Sequence, residues 1–288
     1  MLKINGLKKS YGDFHLDVSM EVPAGMVVGL VGSNGAGKST TIKSVLQLIR
    51  PDAGSIQFCG NECGAGGSLL TKSEKEMMGV VLSDSGFSAY LTPSDVKSVC
   101  AAMYSKFDKN KFSALCRDLE IPERKQIRTF STGMKAKLKV AAALCHDARF
   151  LIMDEPTSGL DVIVRDHVLD LLRAYMEERE DRSILISSHI SSDLESICDT
   201  LYMIKKGQIV FHEDTDILLS RYGILKCSED QYNEIDRQYI CRRIKESFGY
   251  TCLTTEKHFY MENYPKLVIE NSGIDDLILL MEKGEDVS

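Results

Sequence analysis

At 288 residues the chain can bury a substantial core in one large domain or two, and its net charge of -7 lacks the basic excess that draws a protein onto nucleic acid. Its nine cysteines are odd in number and scattered, with no second pair at zinc spacing beside Cys59 and Cys63, so reduced thiols in a cytosolic protein are expected. No apolar run approaches a bilayer span and residues 1–5 lack the charged and apolar regions of a signal peptide, so any membrane span is expected from another chain.

Residues 2–9 and 16–22 carry partial apolar alternation on either side of Tyr11-Gly12-Asp13, which predicts an antiparallel pair. Residues 26–31 read as a buried strand and 40–48, apolar at helical spacing, as a helix. A turn at 51–54, a short strand at 55–59, a second turn at 60–62 and a Gly-rich surface loop at 64–68 lead to another buried strand at 78–82. From Thr92 the pattern is helical, through 95–104, 109–119 and 131–144, which predicts a helical subdomain inserted at about 86–147. Buried strands return at 150–153 and 183–187 with a helix at 162–178 between them, followed by a hairpin around Lys206-Gly207. The expected fold is α/β, a mostly parallel sheet with an antiparallel β subdomain and the ligand at the carboxyl ends of the strands. Residues 1–220 form the first unit, and 221–288 a small α+β appendage with a helix at 239–248, a strand at 266–270 and a helix at 274–283 capped near Ser272. No catalytic constellation falls in that appendage, and regulation, dimerisation and stabilisation all stay open for it.

The chemistry starts at Gly32-Ser33-Asn34-Gly35-Ala36-Gly37-Lys38-Ser39-Thr40, which fits G-x-x-x-x-G-K-[ST] between a strand and a helix. The glycines let backbone N–H groups close around phosphate oxygens at a helix N-terminus, Lys38 reaches the β- and γ-phosphates, and Ser39 offers a hydroxyl to Mg²⁺. Strand 150–153 then delivers the adjacent carboxylates Asp154 and Glu155: Asp154 suits the cation and Glu155 suits polarising an attacking water. His189 ends the next strand, where it can reach a γ-phosphate, although a lone histidine is more often structural. Ser131, Thr132 and Gly133 open a lysine-rich helix whose N-terminus can hold phosphate; alone, such a serine is an ordinary N-cap.

In this order, the stretches resemble the nucleotide-binding subunit of ABC transporters, over about residues 2–212 and on the exporter-type branch. The resemblance implies a P-loop NTPase core, ATP and Mg²⁺ as ligands, and a head-to-tail homodimer clamping each ATP between one subunit's phosphate loop and the other's signature motif. It also implies a separate transmembrane permease and a cytoplasmic position on the inner face of the cell membrane. By position, Gly32 to Thr40 form the Walker A loop, Ser131, Thr132 and Gly133 lie in the signature motif, Asp154 ends Walker B, and Glu155 is the catalytic glutamate. Asp161 belongs to the D-loop, His189 to the switch, and Tyr11 matches the aromatic that stacks on adenine, against its plainer reading as a turn tyrosine on the sheet. Two departures stand out. Phe130, Thr132 and Met134 replace three of the usual L-S-G-G-Q positions, and Ser83-Asp84 stands where the Q-loop glutamine is expected, with Asp84 taking the cation contact. Phe87, Ala89, Tyr90 and Leu91 either line a groove for a permease helix or pack the helical subdomain. A soluble member of the family acting on ribosomes or DNA is the alternative function; such proteins resemble fused ATPase pairs or carry long coiled-coil insertions, which this sequence lacks. A non-hydrolysing partner in a heterodimer is the third reading, opposed by Glu155 and His189.

Overall fold

The computed structural model describes residues 1–64, 68–84 and 86–287, so Ala65, Gly66 and Gly67 of the expected Gly-rich loop lie outside the described residues. Strands β1 (Leu2–Tyr11) and β2 (Phe14–Val22) pair antiparallel, with Tyr11 opposite Phe14 at the hairpin end. β3 (Val27–Val31), buried at every position, runs through the glycine loop into α1 (Lys38–Val45). β4 (Ala53–Phe58) and β5 (Asn61–Gly64) extend the β1 edge. The reversal falls at Cys59 and Gly60, both at positive φ, so Asn61 and Glu62 belong to a strand rather than to the expected turn. α2 (Lys72–Glu76), with a Thr71–Glu74 capping box, leads to β6 (Met78–Val81).

The helical insertion holds α3 (Pro93–Met103), α4 (Lys109–Asp118) and α5 (Thr132–Ala143), started by side-chain caps from Thr92, Asp108 and Ser131. There follow β7 (Phe150–Asp154), α6 (Val162–Glu177), β8 (Ser183–Ser187), α7 (Ser191–Ile197), β9 (Thr200–Lys205), β10 (Gln208–Asp214) and α8 (Thr215–Arg221). The ten strands lie in the order β5-β4-β1-β2-β10-β9-β3-β8-β7-β6. β9, β3, β8, β7 and β6 pair parallel, and β3, β7 and β8 are buried at every residue because helices cover both faces. The antiparallel strands meet this parallel block where β2 and β10 share one register pair, Asp17 with Gln208.

The C-terminal residues build a second, antiparallel sheet. It comprises β11 (Gly223–Cys227), α9 (Glu229–Glu234), β12 (Ile240–Glu246), β13 (Gly249–Thr254), α10 (Lys257–Asn263), β14 (Val268–Asn271), α11 (Ile274–Lys283) and β15 (Glu285–Asp286), with strands ordered β14-β11-β13-β12-β15. The helix expected at 239–248 is therefore strand β12. Ile240 and Ile244 stand at a helical spacing, but the segment pairs along its length with β13 and reverses over Ser247-Phe248 into Gly249. That glycine has φ 143 and a Cβ there would lie 2.1 Å from the Cys227 carbonyl oxygen, so the hairpin is imposed by close backbone approach.

Two cores flank the large sheet. One joins β1, β2 and β4 to α1 through residues such as Leu7, Val18, Ile42 and Phe58. The other is continuous from Leu194, Leu201 and Met203 to Ile224, Leu253, Ile274, Leu277 and Leu280, so both sheets share it.

Candidate active site

β3 ends at Val31 and the chain must turn at once into α1. At Gly32, φ is 150 and an added Cβ would stand 2.2 Å from the Ile204 carbonyl oxygen, which leaves room for glycine alone. The Ala36 N–H donates to the Ser33 carbonyl at 3.1 Å, and Lys38 folds inward, its Nζ donating to the carbonyls of Gly32 at 2.6 Å and Ser33 at 3.3 Å. Burial pushes the Lys38 ammonium below its ordinary pKa, while Glu155 and Asp154 oppose the shift by attraction.

A cavity of about 300 Å³ opens on Ser33, Asn34, Gly35, Gly37, Lys38, Ser39 and Thr40 from the loop, and on Ser83, Asp154 and Glu155 from the strand ends. Phe14 lines it as well. Of the nine loop residues, Gly32 and Ala36 do not line the cavity: Ala36 is buried and its carbonyl accepts the Gly207 N–H at 2.8 Å.

Asp154, buried at the end of β7, is the hub of the opposite wall. Its Oδ2 accepts the hydroxyls of Ser39 at 2.9 Å and Ser83 at 2.8 Å, and its Oδ1 accepts that of Ser187 at 2.6 Å. Glu155 sits at φ 55, a left-handed conformation that costs a side-chain-bearing residue energy and that recurs at functional sites. Its N–H donates to the Ser187 carbonyl at 3.0 Å. Its carboxylate accepts the His189 N–H at 3.2 Å and pairs with the His189 ring Nδ1, so the two residues form one unit.

Asp84, expected at the cation, is turned away from this wall. It pairs with Lys43 at 2.5 Å, and that hydrogen bond holds its carboxyl below the usual carboxylate range. Ser83 takes the place beside Asp154, where a hydroxyl can donate and a second carboxylate would repel.

Tyr11 stands about half exposed at the hairpin end with Lys9 Nζ 5.4 Å above its ring, while its cross-strand neighbour Phe14 is the aromatic on the cavity. Ser131 caps α5 by accepting the Met134 N–H at 3.2 Å, and Asp161 caps α6 by accepting the Val164 N–H at 3.0 Å. Within one chain, Ser131, Gly133 and Asp161 do not line the phosphate-loop cavity. Thr132 lines a neighbouring cleft of about 380 Å³ that shares Ser83 and Glu155 with it and includes Asp84, Phe87 and Ala89. Phe87 and Leu91 also pack on the core, and Tyr90 is exposed.

Sequence reasoning missed Ser187 and Phe14. The signal for Ser187 was register: two adjacent parallel strands that both end at the loop place Ser187 opposite Asp154.

The profile of the ABC transporter family matches residues 16–158, and a profile for an AAA domain matches residues 125–192. The lantibiotic transport ATP-binding protein SrtF of Streptococcus pyogenes is 32% identical over 75% of this chain and 92% of that protein. The bacitracin transport ATP-binding protein BcrA of Bacillus licheniformis is 34% identical over 77% of this chain and 72% of its own length. Among solved structures, an ATP-binding subunit of an ABC transporter superposes with TM-score 0.67 at 25% identity over 76% of this chain and 91% of that one. A dimeric ATP-binding cassette in a post-hydrolysis state with ADP and Pi shares the fold, with TM-score 0.65 at 19% identity over 75% of this chain and 99% of that one. With the phosphate loop, the Asp154 hub and Glu155 on one cavity, and His189 paired to Glu155 behind it, the chain belongs to the ATP-binding subunits of ABC transporters, and it is an ATPase.

Proposed function

We propose that two copies of this chain close head to tail around two ATP molecules and that hydrolysis at their interface drives export through a separate membrane permease. The observation that carries this reading is the wall formed by Asp154 and Glu155 in a cavity of about 300 Å³ that Lys38 also lines, with His189 bound to the Glu155 carboxylate. The family position of Ser131, Thr132 and Gly133 and their lack of contact with the chain's own phosphate-loop cavity favour a site completed by a second copy. The transport role named for the lantibiotic and bacitracin relatives supports the permease. No helix among the described residues is long and apolar enough to cross a membrane.

The cation pocket offers oxygen donors, with Ser39, Ser83 and Asp154 side by side, a hard set that suits Mg²⁺. When bound, the ion would neutralise charge on the β- and γ-phosphates. Lys38 leaves the loop carbonyls to donate to the phosphates, Glu155 orients the attacking water, and His189 holds the Glu155 carboxylate and can donate to the γ-phosphate. Residues 1–220 are the catalytic unit and 221–288 an accessory one.

Light scattering of Glu155→Gln with and without ATP and Mg²⁺, beside phosphate release by the unsubstituted chain, tests the proposal. We expect ATP-dependent dimers of the variant and at least a hundredfold loss of its hydrolysis. A variant that binds ATP yet stays monomeric would withdraw the self-paired site.

A further inference from the structure

Helix α11 connects two parts of the ATPase site. At its start, the Ile274 N–H donates to Glu195 at 2.7 Å and the Ser191 hydroxyl donates to Asp275, both partners on α7, which begins two residues after His189. At its end, the Ser33 hydroxyl of the phosphate loop donates to the Glu282 carboxylate at 3.1 Å. Lys205 anchors the same turn, its Nζ donating to the carbonyls of Met281 at 2.7 Å and Glu282 at 3.0 Å. Between these ends Ile274, Leu277 and Leu280 are buried in the core shared by the two sheets. The helix is thus fixed along its whole length, and it presents an anionic side chain to a loop whose chemistry is anion binding.

Two negative features meet there. Glu282 carries a full charge beside Ser33, and the C-terminal end of α11 carries the negative end of the helix dipole. Lys205, whose ammonium lies 3.9 Å from the Glu282 carboxylate, offsets part of both. A nucleotide triphosphate brings several more negative charges into the same neighbourhood, and like charges a few ångströms apart repel.

We propose that Glu282 is a positioning residue that sets nucleotide affinity: it holds the Ser33 side chain and weakens polyphosphate binding, coupling the docking of α11 to the state of the phosphate loop. The inference rests on the assignment of Gly32 to Thr40 as the phosphate site. Because coupling between two sites is reciprocal, nucleotide in the loop loosens the last turn of α11 by the same factor that α11 weakens the nucleotide. The C-terminal unit then senses occupancy of the phosphate loop through Glu282 and contacts the switch-side helix through Ser191 and Glu195.

The test is equilibrium binding of ATP and ADP, each with Mg²⁺, to the full chain and to its Glu282→Gln and Glu282→Lys variants, at 0.05 M and 1 M salt. Glu282→Gln keeps the size of the side chain and its hydrogen bond to Ser33 while removing the charge. We expect the ATP Kd to fall about three- to tenfold in Glu282→Gln and further in Glu282→Lys, with a smaller fall for ADP, the order of magnitude of one unit charge acting through a wet surface. At 1 M salt, where the screening length is about 3 Å, the three proteins converge. A merely structural role gives the opposite: an unchanged or raised Kd in the charge series, insensitive to salt and equal for ATP and ADP, which overturns the proposal. If the unsubstituted chain binds no ATP, the phosphate-site assignment itself falls, and this inference with it.

Discussion

Asp154 accepts three serine hydroxyls because it is buried where two parallel strands and the helix after the phosphate loop converge, and a carboxylate so placed must be hydrogen-bonded. Two of those hydroxyls, from Ser39 and Ser83, lie on the cavity side and are the ones a cation would recruit. Ser83→Ala is therefore expected to raise the Mg²⁺ concentration for half-maximal phosphate release several-fold, whereas Asp84→Ala leaves it within about twofold, since an exposed pair such as Lys43–Asp84 contributes only ~0.2–1 kcal/mol. A magnesium titration of both variants checks the contrast, and the reverse ranking would return Asp84 to the cation. At this scale the sequence was legible wherever a motif dictates backbone shape, as at Gly32, Lys38 and the Asp154-Glu155 pair. It was not legible where two adjacent polar residues compete for one place: the choice of Ser83 over Asp84 depends on Lys43, which comes from a different element. Phe14 escaped for the same reason, because pairing across a hairpin decides which aromatic faces the loop.

Among the elements, α11 and β12 make an instructive pair. Residues 274–283 were readable as a helix because their apolar positions follow one face, and the observed helix keeps those limits, with Gly273 and an Asp276 carboxylate at its start. Residues 240–246 show a similar apolar spacing yet form a strand, since β13 pairs along one side and β15 adds two register pairs, at Arg242 and Arg243, on the other. Short apolar spacing is compatible with both periods, and the partner strand decides. The helix owes its place to its buried face more than to its propensity, so Leu277→Ala is expected to cost about 2–5 kcal/mol. Urea denaturation of parent and variant measures it, and a loss below ~1 kcal/mol would mean that α11 is held by its polar ends alone.

Over the whole molecule, the alternation of strands and helices made the ATPase layer legible, while the packing of the C-terminal sheet on it was not, because nothing in a linear pattern reports which surfaces meet. The shared core running from Leu201 and Met203 to Ile224 and Leu277 joins the two sheets through one buried cluster. Chemical unfolding followed by far-ultraviolet circular dichroism and by tyrosine fluorescence is therefore expected to give coincident transitions, and two separated midpoints would show the sheets to be independent. A different bond governs the middle of the large sheet. The hairpin bearing Tyr11 and Phe14 joins the parallel block through a single register pair and the 2.7 Å bond from the Asp17 N–H to the Gly207 carbonyl. What closes that seam is a tongue and groove of side chains: a Cβ added to Gly37 would meet Leu16 at 2.8 Å, Ile204 at 2.9 Å and Phe14 at 3.3 Å. The glycine that shapes the phosphate loop is thus also the place where the hairpin's side chains close down, so a methyl group at that one position, held at φ 121, would strain the loop and press on the ends of Leu16 and Ile204 together.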